Sequence, residues 1–284
     1  YKKVFKTGEF DLIIIGTPPK THLGLVKKLH RNNIRYKKLL IEKPLNSYIE
    51  NNLFIKKLNK NNIFIGYNHS ISSSISYFIN EIKKDKKNLK NIFINWKEGF
   101  EGILKAHKWL KNEFSSYLGY SRDGGGAIQE HSHALHLALV ILNELGISKY
   151  KTKFYKQYID NNHKLYDNLA LVLFSSKKLN LKLDIDLITF PAEKNIIVKS
   201  NNKKIVWVHN FKKNYDAVKV VSKNGKEKIK FFKKTRSSEF ENEMKYILSL
   251  KTKKNYQNSR LNISYGIKVM ETIKKYFNDK KNSF

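Results

Sequence analysis

The sequence predicts an α/β chain in two parts. Residues 1–88 alternate short apolar runs with helical spacings, the pattern of a doubly wound parallel sheet. From residue 89 to 284 long alternating strands take over, with helices at the end, the pattern of an α+β domain built on a large, mostly antiparallel open sheet. At 284 residues the chain also exceeds the usual size of one domain, so a boundary near residue 88 is expected.

The elements follow in order. The β-branched run in Asp11–Pro19 reads as a parallel strand buried on both faces, stopped by Gly16 and Pro18-Pro19. Thr21 is a candidate cap for a helix reaching Asn32, with Leu25 and Leu29 on one side. Lys38–Ile41 is a second strand, closed by Glu42-Lys43-Pro44. Ser47, with Glu50 three residues on, predicts a capped helix running to about Asn59. Asn62–Gly66 is a third strand and Ser70–Lys84 a further helix. Asn91–Phe100 alternates like a half-buried antiparallel strand. An aromatic-rich loop then leads to Gly124-Gly125-Gly126 and the apolar helix Ala127–Leu142. Strands are expected at Lys153–Tyr158, Leu169–Ser175, Leu179–Thr189, Asn195–Val198 and Ile205–Val208, and helices at Glu239–Ser249 and Leu261–Phe277.

Composition narrows the function classes. Without cysteine there is no disulfide framework, thiolate metal site or cysteine nucleophile. No apolar run reaches the roughly 18 residues of a membrane span, and no signal peptide is visible, so a soluble, cytoplasmic protein without a membrane partner is expected. The net charge of +32 raises the question of nucleic acid. Only five of the 56 basic residues are arginine, however, and the lysines are spread among abundant Asn and Ile, as in an AT-rich genome. Bidentate recognition of bases and phosphates favours arginine, so no nucleic-acid partner is expected. The densest basic stretch, Lys223 to Arg236, reads as a solvated strand or loop.

Ligands of open parallel sheets sit at the carboxyl ends of the strands, where two polar turns lie: Thr17–His22 and Glu42-Lys43-Pro44. By spacing alone the first is equally an ordinary strand–helix turn and Lys43 an exposed lysine; a desolvated lysine there would serve as acid or base. Gln129, His133 and His136 share one helix face, with Glu130 and His131 beside it. That cluster matches no zinc-helix spacing and reads equally as a polar first turn, so no metal ion is expected.

Taken together, Thr17-Pro-Pro-x-x-His22, Glu42-Lys43-Pro44, Ile65-Gly-Tyr-Asn68 and a glycine-rich loop into the helix of His133 resemble the Gfo/Idh/MocA oxidoreductases. Phe240-Glu-Asn-Glu243 and Asn258-Ser-Arg260…Gly266 are similar to that family's C-terminal region. The resemblance covers nearly the whole chain. It implies an N-terminal Rossmann domain for NAD or NADP and a C-terminal domain forming a cleft in which a sugar or other polyol exchanges hydride with the nicotinamide. It implies a homo-oligomer paired through the open sheet. It makes Lys43 the catalytic lysine and His133 a substrate-binding histidine that aids proton transfer. Thr17, Pro18 and His22 would lie along the cofactor, with Glu42, Pro44 and Asn68 shaping the nicotinamide end. Gln129, Glu130, His136, His107 and Trp109 are candidate substrate contacts, the last because sugars stack on indole.

Two departures stand out. The family's Asp-x-x-x-His-x-x-Asp reads Gln129-x-x-x-His133-x-x-His136 here, so Glu130 supplies a carboxylate only if the helix start is offset by one residue. Histidines in place of carboxylates would make the pocket better suited to an anionic ligand such as a sugar nucleotide, and surface-polysaccharide metabolism is among the roles implied. Second, no Gly-x-Gly-x-x-Gly turn is present, so the first βαβ unit is expected to lie outside this sequence, and the fragment alone to bind dinucleotide poorly. Rival expectations are an NAD-assisted glycoside hydrolase of the same fold and a non-catalytic relative or basic binding module.

Overall fold

The computed structural model describes residues 9–58, 62–159 and 165–279. Three parallel strands, β1 (Phe10–Ile15), β2 (Tyr36–Glu42) and β3 (Ile63–Gly66), pair in the order β1-β2-β3. Central β2 buries Leu39, Leu40 and Ile41, as a continuous apolar run should. The same reading of β1 needs correction. Its only partner among the described residues is β2, and Ile14 is 48% exposed.

Helix α1 (His22–Arg31) follows β1, burying Leu23 and Val26. The Thr21 side chain makes no cap bond to it, because its hydroxyl donates to the Pro18 carbonyl instead. The expected helix from Ser47 to Asn59 shrinks to α2 (Leu53–Lys57), with Asn59 itself outside the described residues. The Asn46 amide donates to the Asn52 side chain at 2.9 Å, folding the segment back so that Ser47 cannot open a helix. Helix α3 (Ser73–Lys84) starts later than Ser70, because a short 3-10 turn precedes it and Ser72 is its cap.

Strand β4 (Leu89–Lys97) lies inside an eight-stranded sheet, and α4 (Phe100–Ala106) follows it where only a loop was expected. The apolar helix after the glycines is broken at His131 into α5 (Ala127–Glu130) and α6 (Ser132–Glu144). The sheet is completed by β5 (Lys151–Tyr158), β6 (Asp167–Ser175), β7 (Asn180–Asp186), β8 (Glu193–Ser200), β9 (Lys203–Lys212), β10 (Tyr215–Ser222) and β11 (Glu227–Lys233). Its order is β11-β10-β9-β8-β4-β7-β6-β5, antiparallel throughout except for β4 beside β7. The sequence reading missed β10. The exposed β11 is the basic stretch expected on a solvated strand. The sheet packs against α3, α5 and α6, whose apolar faces include Ile75, Phe78, Leu135 and Ala138. No helix among the described residues is long and apolar enough to cross a membrane.

The chain closes with α7 (Arg236–Ser249), α8 (Lys253–Asn258) and α9 (Ile263–Asn278). Helix α7 is closed at its N-terminus by a Thr235/Ser238 capping box. The last segment returns to the three-stranded sheet: the Ile65 N–H donates to the Leu261 carbonyl at 2.8 Å, and α9 packs on β3 and α6. Arg260 fastens this return. Its Nε and Nη2 fork onto one Glu144 oxygen at 3.0 and 2.9 Å, and Nη1 donates to the Ser70 carbonyl at 3.1 Å. An ammonium cannot reproduce that fork, so Arg260→Lys is expected to cost about 1–3 kcal/mol in denaturant unfolding. An unchanged midpoint would show that the fork contributes nothing.

Glu243 on α7 is 1% exposed and its Oε1 has no hydrogen-bond partner. Burial, with the negative charge of Glu42, pushes its carboxyl up from 4.5 to about 9. The folded state therefore keeps a proton that the unfolded chain loses. Its stabilising contribution is complete below 4.5 and is lost as pH rises to about 9. Between about pH 6 and 9 the thermal midpoint should fall, and Glu243→Gln should flatten that fall. Parallel curves for the two proteins would count against this assignment.

Candidate active site

A cavity of about 700 Å³ opens at the carboxyl ends of all three parallel strands and reaches across to one face of the large sheet. Gly16, Thr17, Pro18 and Pro19 enter it after β1, Glu42 and Lys43 at the end of β2, and Gly66 and Asn68 at the end of β3 and just beyond it. Gly66 is there for space: a Cβ on it would lie 2.8 Å from the Glu42 carboxylate. His22 lies behind this floor, fully buried. One ring nitrogen is 2.6 Å from the Thr17 carbonyl and the other 3.1 and 3.2 Å from the Pro44 and Leu45 carbonyls. It ties the first turn to the second.

Lys43 precedes a cis peptide to Pro44. Its Nζ donates to the Glu130 carbonyl at 2.8 Å and to Glu130 Oε1 at 3.0 Å, with both side chains mostly buried. The helix break makes this pairing available. The Ala134 N–H bonds to the His131 carbonyl at 3.0 Å, which leaves the Glu130 carbonyl to the lysine. Tyr117 donates to the other Glu130 oxygen at 3.4 Å. Burial alone would raise the Glu130 carboxyl; the charge of Lys43 and its hydrogen bond outweigh it and hold the group ionised below its ordinary range. The Glu130 charge, with burial, pushes the Tyr117 hydroxyl upward, so it stays a donor.

His133 also faces the cavity, ringed by Tyr67, His69 and Trp96 at centroid distances of 5.4, 4.7 and 6.0 Å. Burial, with neighbouring positive groups, drives its imidazole well below 6.5, so it is neutral, and its Nδ1 has no hydrogen-bond partner. His131 is likewise neutral, lowered by burial and then by Lys194 to about 4, with Nε2 3.2 Å from the Glu98 carbonyl. Glu98 in turn accepts from Lys194 at 2.5 Å.

The structure thus gathers Thr17, Pro18, Glu42, Lys43, Asn68, His107, Glu130 and His133 in one cavity. Other expected site residues lie elsewhere. Gln129 is fully buried and spent on backbone: its amide donates to the Ser121 and Gly125 carbonyls, and its oxygen accepts from the Tyr48 N–H. His136 is a core residue, stacked on Tyr67 at 4.2 Å with Nε2 2.9 Å from the Arg260 carbonyl, and burial lowers it to about 3. It therefore does not set the character of the pocket for an anionic ligand. His22 and Pro44 brace the floor from behind, and Trp109 is 74% exposed, edge-on to His107 at 5.0 Å.

Sequence reading missed the opposite wall: His69, Trp96, Lys194, His209, Lys234 and Glu239. The signal was present in β9, where Ile205, Trp207 and His209 alternate toward one face. Lys234 Nζ lies 2.6 Å from His209 Nδ1, 2.9 Å from Asp216 and 3.3 Å from Glu239. Asp216 is itself fixed by the Ser74 hydroxyl at 2.7 Å, which accepts from the Trp207 indole.

No model of a known protein family matches this sequence, and no curated protein matches it. Solved structures do. An inositol dehydrogenase homolog from Azotobacter vinelandii, crystallised with NAD+, superposes with a TM-score of 0.68 at 12% identity, over 93% of this chain and 75% of that one. An aldose-aldose oxidoreductase from Caulobacter crescentus, with glycerol, gives 0.72 at 11% identity over 97% and 78%. The WlbA dehydrogenase from Bordetella pertussis, with NADH and UDP-GlcNAcA, gives 0.65 at 11% identity over 98% and 79%. Identities this low speak to architecture alone: the chain shares the fold of these dehydrogenase structures.

Proposed function

We propose that this protein is an NAD(P)-dependent oxidoreductase that moves hydride between a nicotinamide and a hydroxyl or keto carbon of a sugar or sugar derivative. The observation that carries the reading is Lys43: a lysine at a parallel-strand end, inside a cavity, with its ammonium held by a buried carboxylate. The floor fits a nicotinamide. Gly16 leaves open space after β1, where a Cβ would meet nothing nearer than the Glu42 side chain at 3.8 Å, and Asn68 Oδ1 is a buried acceptor with no partner among the described residues. Thr17, Pro18, Glu42 and Asn68 would hold it, and when bound it supplies the hydride acceptor or donor.

The protein's own part is proton management and orientation. In the reduction direction, the Lys43 ammonium gives a proton to the carbonyl oxygen as hydride reaches the same carbon, which becomes a hydroxyl-bearing carbon; oxidation runs the same transfers in reverse. The ammonium is stabilised by Glu130 Oε1 and the Glu130 carbonyl. Neutral His133 offers a hydrogen bond to the reacting oxygen without adding a second positive charge beside Lys43. Tyr117 fixes the second Glu130 oxygen, so the carboxylate keeps its orientation. The neighbouring dehydrogenase structures hold nicotinamides, a polyol and a sugar nucleotide, in keeping with this division of labour.

The test follows NAD(P)H absorbance with a panel of polyols, aldoses and sugar derivatives. Lys43→Met should lower turnover by about 10²–10⁴-fold, with little change in ligand binding. Glu130→Gln should lower it by less and shift the pH profile, because it perturbs the lysine without removing it. Full turnover in Lys43→Met would remove the proposal.

A further inference from the structure

We propose that His69, His209 and Glu239 form a binding site for a divalent transition metal of the zinc type, in the cavity wall built by β9 and α7. This goes beyond the hydride-transfer reading and does not depend on it. One ligand atom from each residue lies within 4.8 Å of the other two. Zinc–ligand bonds of about 2.0–2.2 Å would draw them somewhat closer, within reach of small side-chain movements. Two histidines and a glutamate are a ligand set of catalytic zinc sites, which keep a fourth position open for water or substrate. All three residues here line the cavity, so that position would open to it.

Three further features point the same way. His69 Nδ1 is buried with no hydrogen-bond partner, 3.5 Å from Glu239 Oε1, and buried polar atoms are normally satisfied. His209 has a carboxylate at its back: Asp216 Oδ1 lies 3.4 Å from Nδ1 and accepts from the Asn210 N–H, while Oδ2 accepts from the Ser74 hydroxyl. Once Lys234 moves off Nδ1, that contact would become the carboxylate–histidine arrangement that orients metal ligands and makes them better donors, with Nε2 left to ligate. The charge balance also leaves room for a cation. Asp216 and Glu239 share one ammonium, Lys234.

Lys234 is the competitor. Without metal its Nζ stands 2.6 Å from His209 Nδ1 and 3.3 Å from Glu239, occupying the space between the ligands. Entry of an ion would move this flexible ammonium off His209 and Glu239, and its contact with Asp216 can persist. The +32 charge of the chain opposes cations at long range, but salt screens that field beyond about 8 Å at physiological ionic strength.

Titration with Co2+, read by visible absorption, tests the site, with zinc content after dialysis as a second measure and circular dichroism to confirm folding. The native protein should take up one equivalent with a tetrahedral spectrum. His69→Gln and His209→Gln should each weaken binding by at least about tenfold, and Lys234→Met should tighten it. Absence of that spectrum in the native protein would overturn the proposal. Binding in Lys234→Met alone would overturn it as well, by making the ammonium the resident cation. Because no turnover is read, failure of the redox assignment would leave the outcome intact.

Discussion

The rest of the site depends on one contact across the molecule, the Lys43 ammonium against Glu130. Lys43 is carried by the parallel sheet and Glu130 by a short helix packed on the large one, so this pair draws the two sheets around a common cavity. It rests on a backbone irregularity. If α5 and α6 ran on as one helix, the Glu130 carbonyl would be spent on the Ala134 N–H. Because Ala134 bonds to His131 instead, that carbonyl and its own carboxylate converge on a single cation. A lysine and a glutamate taken out of water are costly unless such additional hydrogen bonds accompany them.

The cavity wall is polar, and its imidazoles are themselves uncharged. His69, His131 and His133 all lose basicity to burial first and to neighbouring positive groups second. The cations Lys43, Lys194 and Lys234 each have a carboxylate in contact. A pocket built this way offers hydrogen bonds with little net charge, which suits a ligand rich in hydroxyl groups. It also makes neutral histidines a requirement of the fold: between pH 6.5 and about 4 the unfolded chain takes up protons that His131 refuses in the native state, so acid works against the native structure.

How much of this could be read from the residues follows from how local each signal is. Gly16, Thr17-Pro18 and Glu42-Lys43-Pro44 terminate apolar strands, and strand ends are where open parallel sheets place their ligands, so that half of the cavity was accessible to inspection. Period-two alternation foretold most strands of the large sheet, but not β10, whose Tyr215–Ser222 mixes buried and half-buried positions on both faces. Helical periodicity placed Gln129, His133 and His136 on one face. It could not foresee the break at His131, which sends Gln129 to the backbone, buries His136 against Tyr67 and turns Glu130 toward Lys43.

The opposite wall was hidden for a different reason. His69, His209, Lys234 and Glu239 come from a 3-10 turn, a strand, the stretch before a helix and the helix's first turn, separated by up to 170 residues of sequence. No spacing rule joins them. What joins them is Asp216, buried at the start of β10, which gathers Ser74 from α3, Asn210 from the end of β9 and Lys234 ahead of α7. A buried carboxylate needs several donors, and satisfying it brings segments together that have no local reason to meet. The two walls are therefore built by the same physics: one buried acid on each side, Glu130 and Asp216, each holding a lysine. They differ in where that lysine leads, Lys43 beside the floor proposed for a nicotinamide and Lys234 among the side chains proposed to ligate a metal.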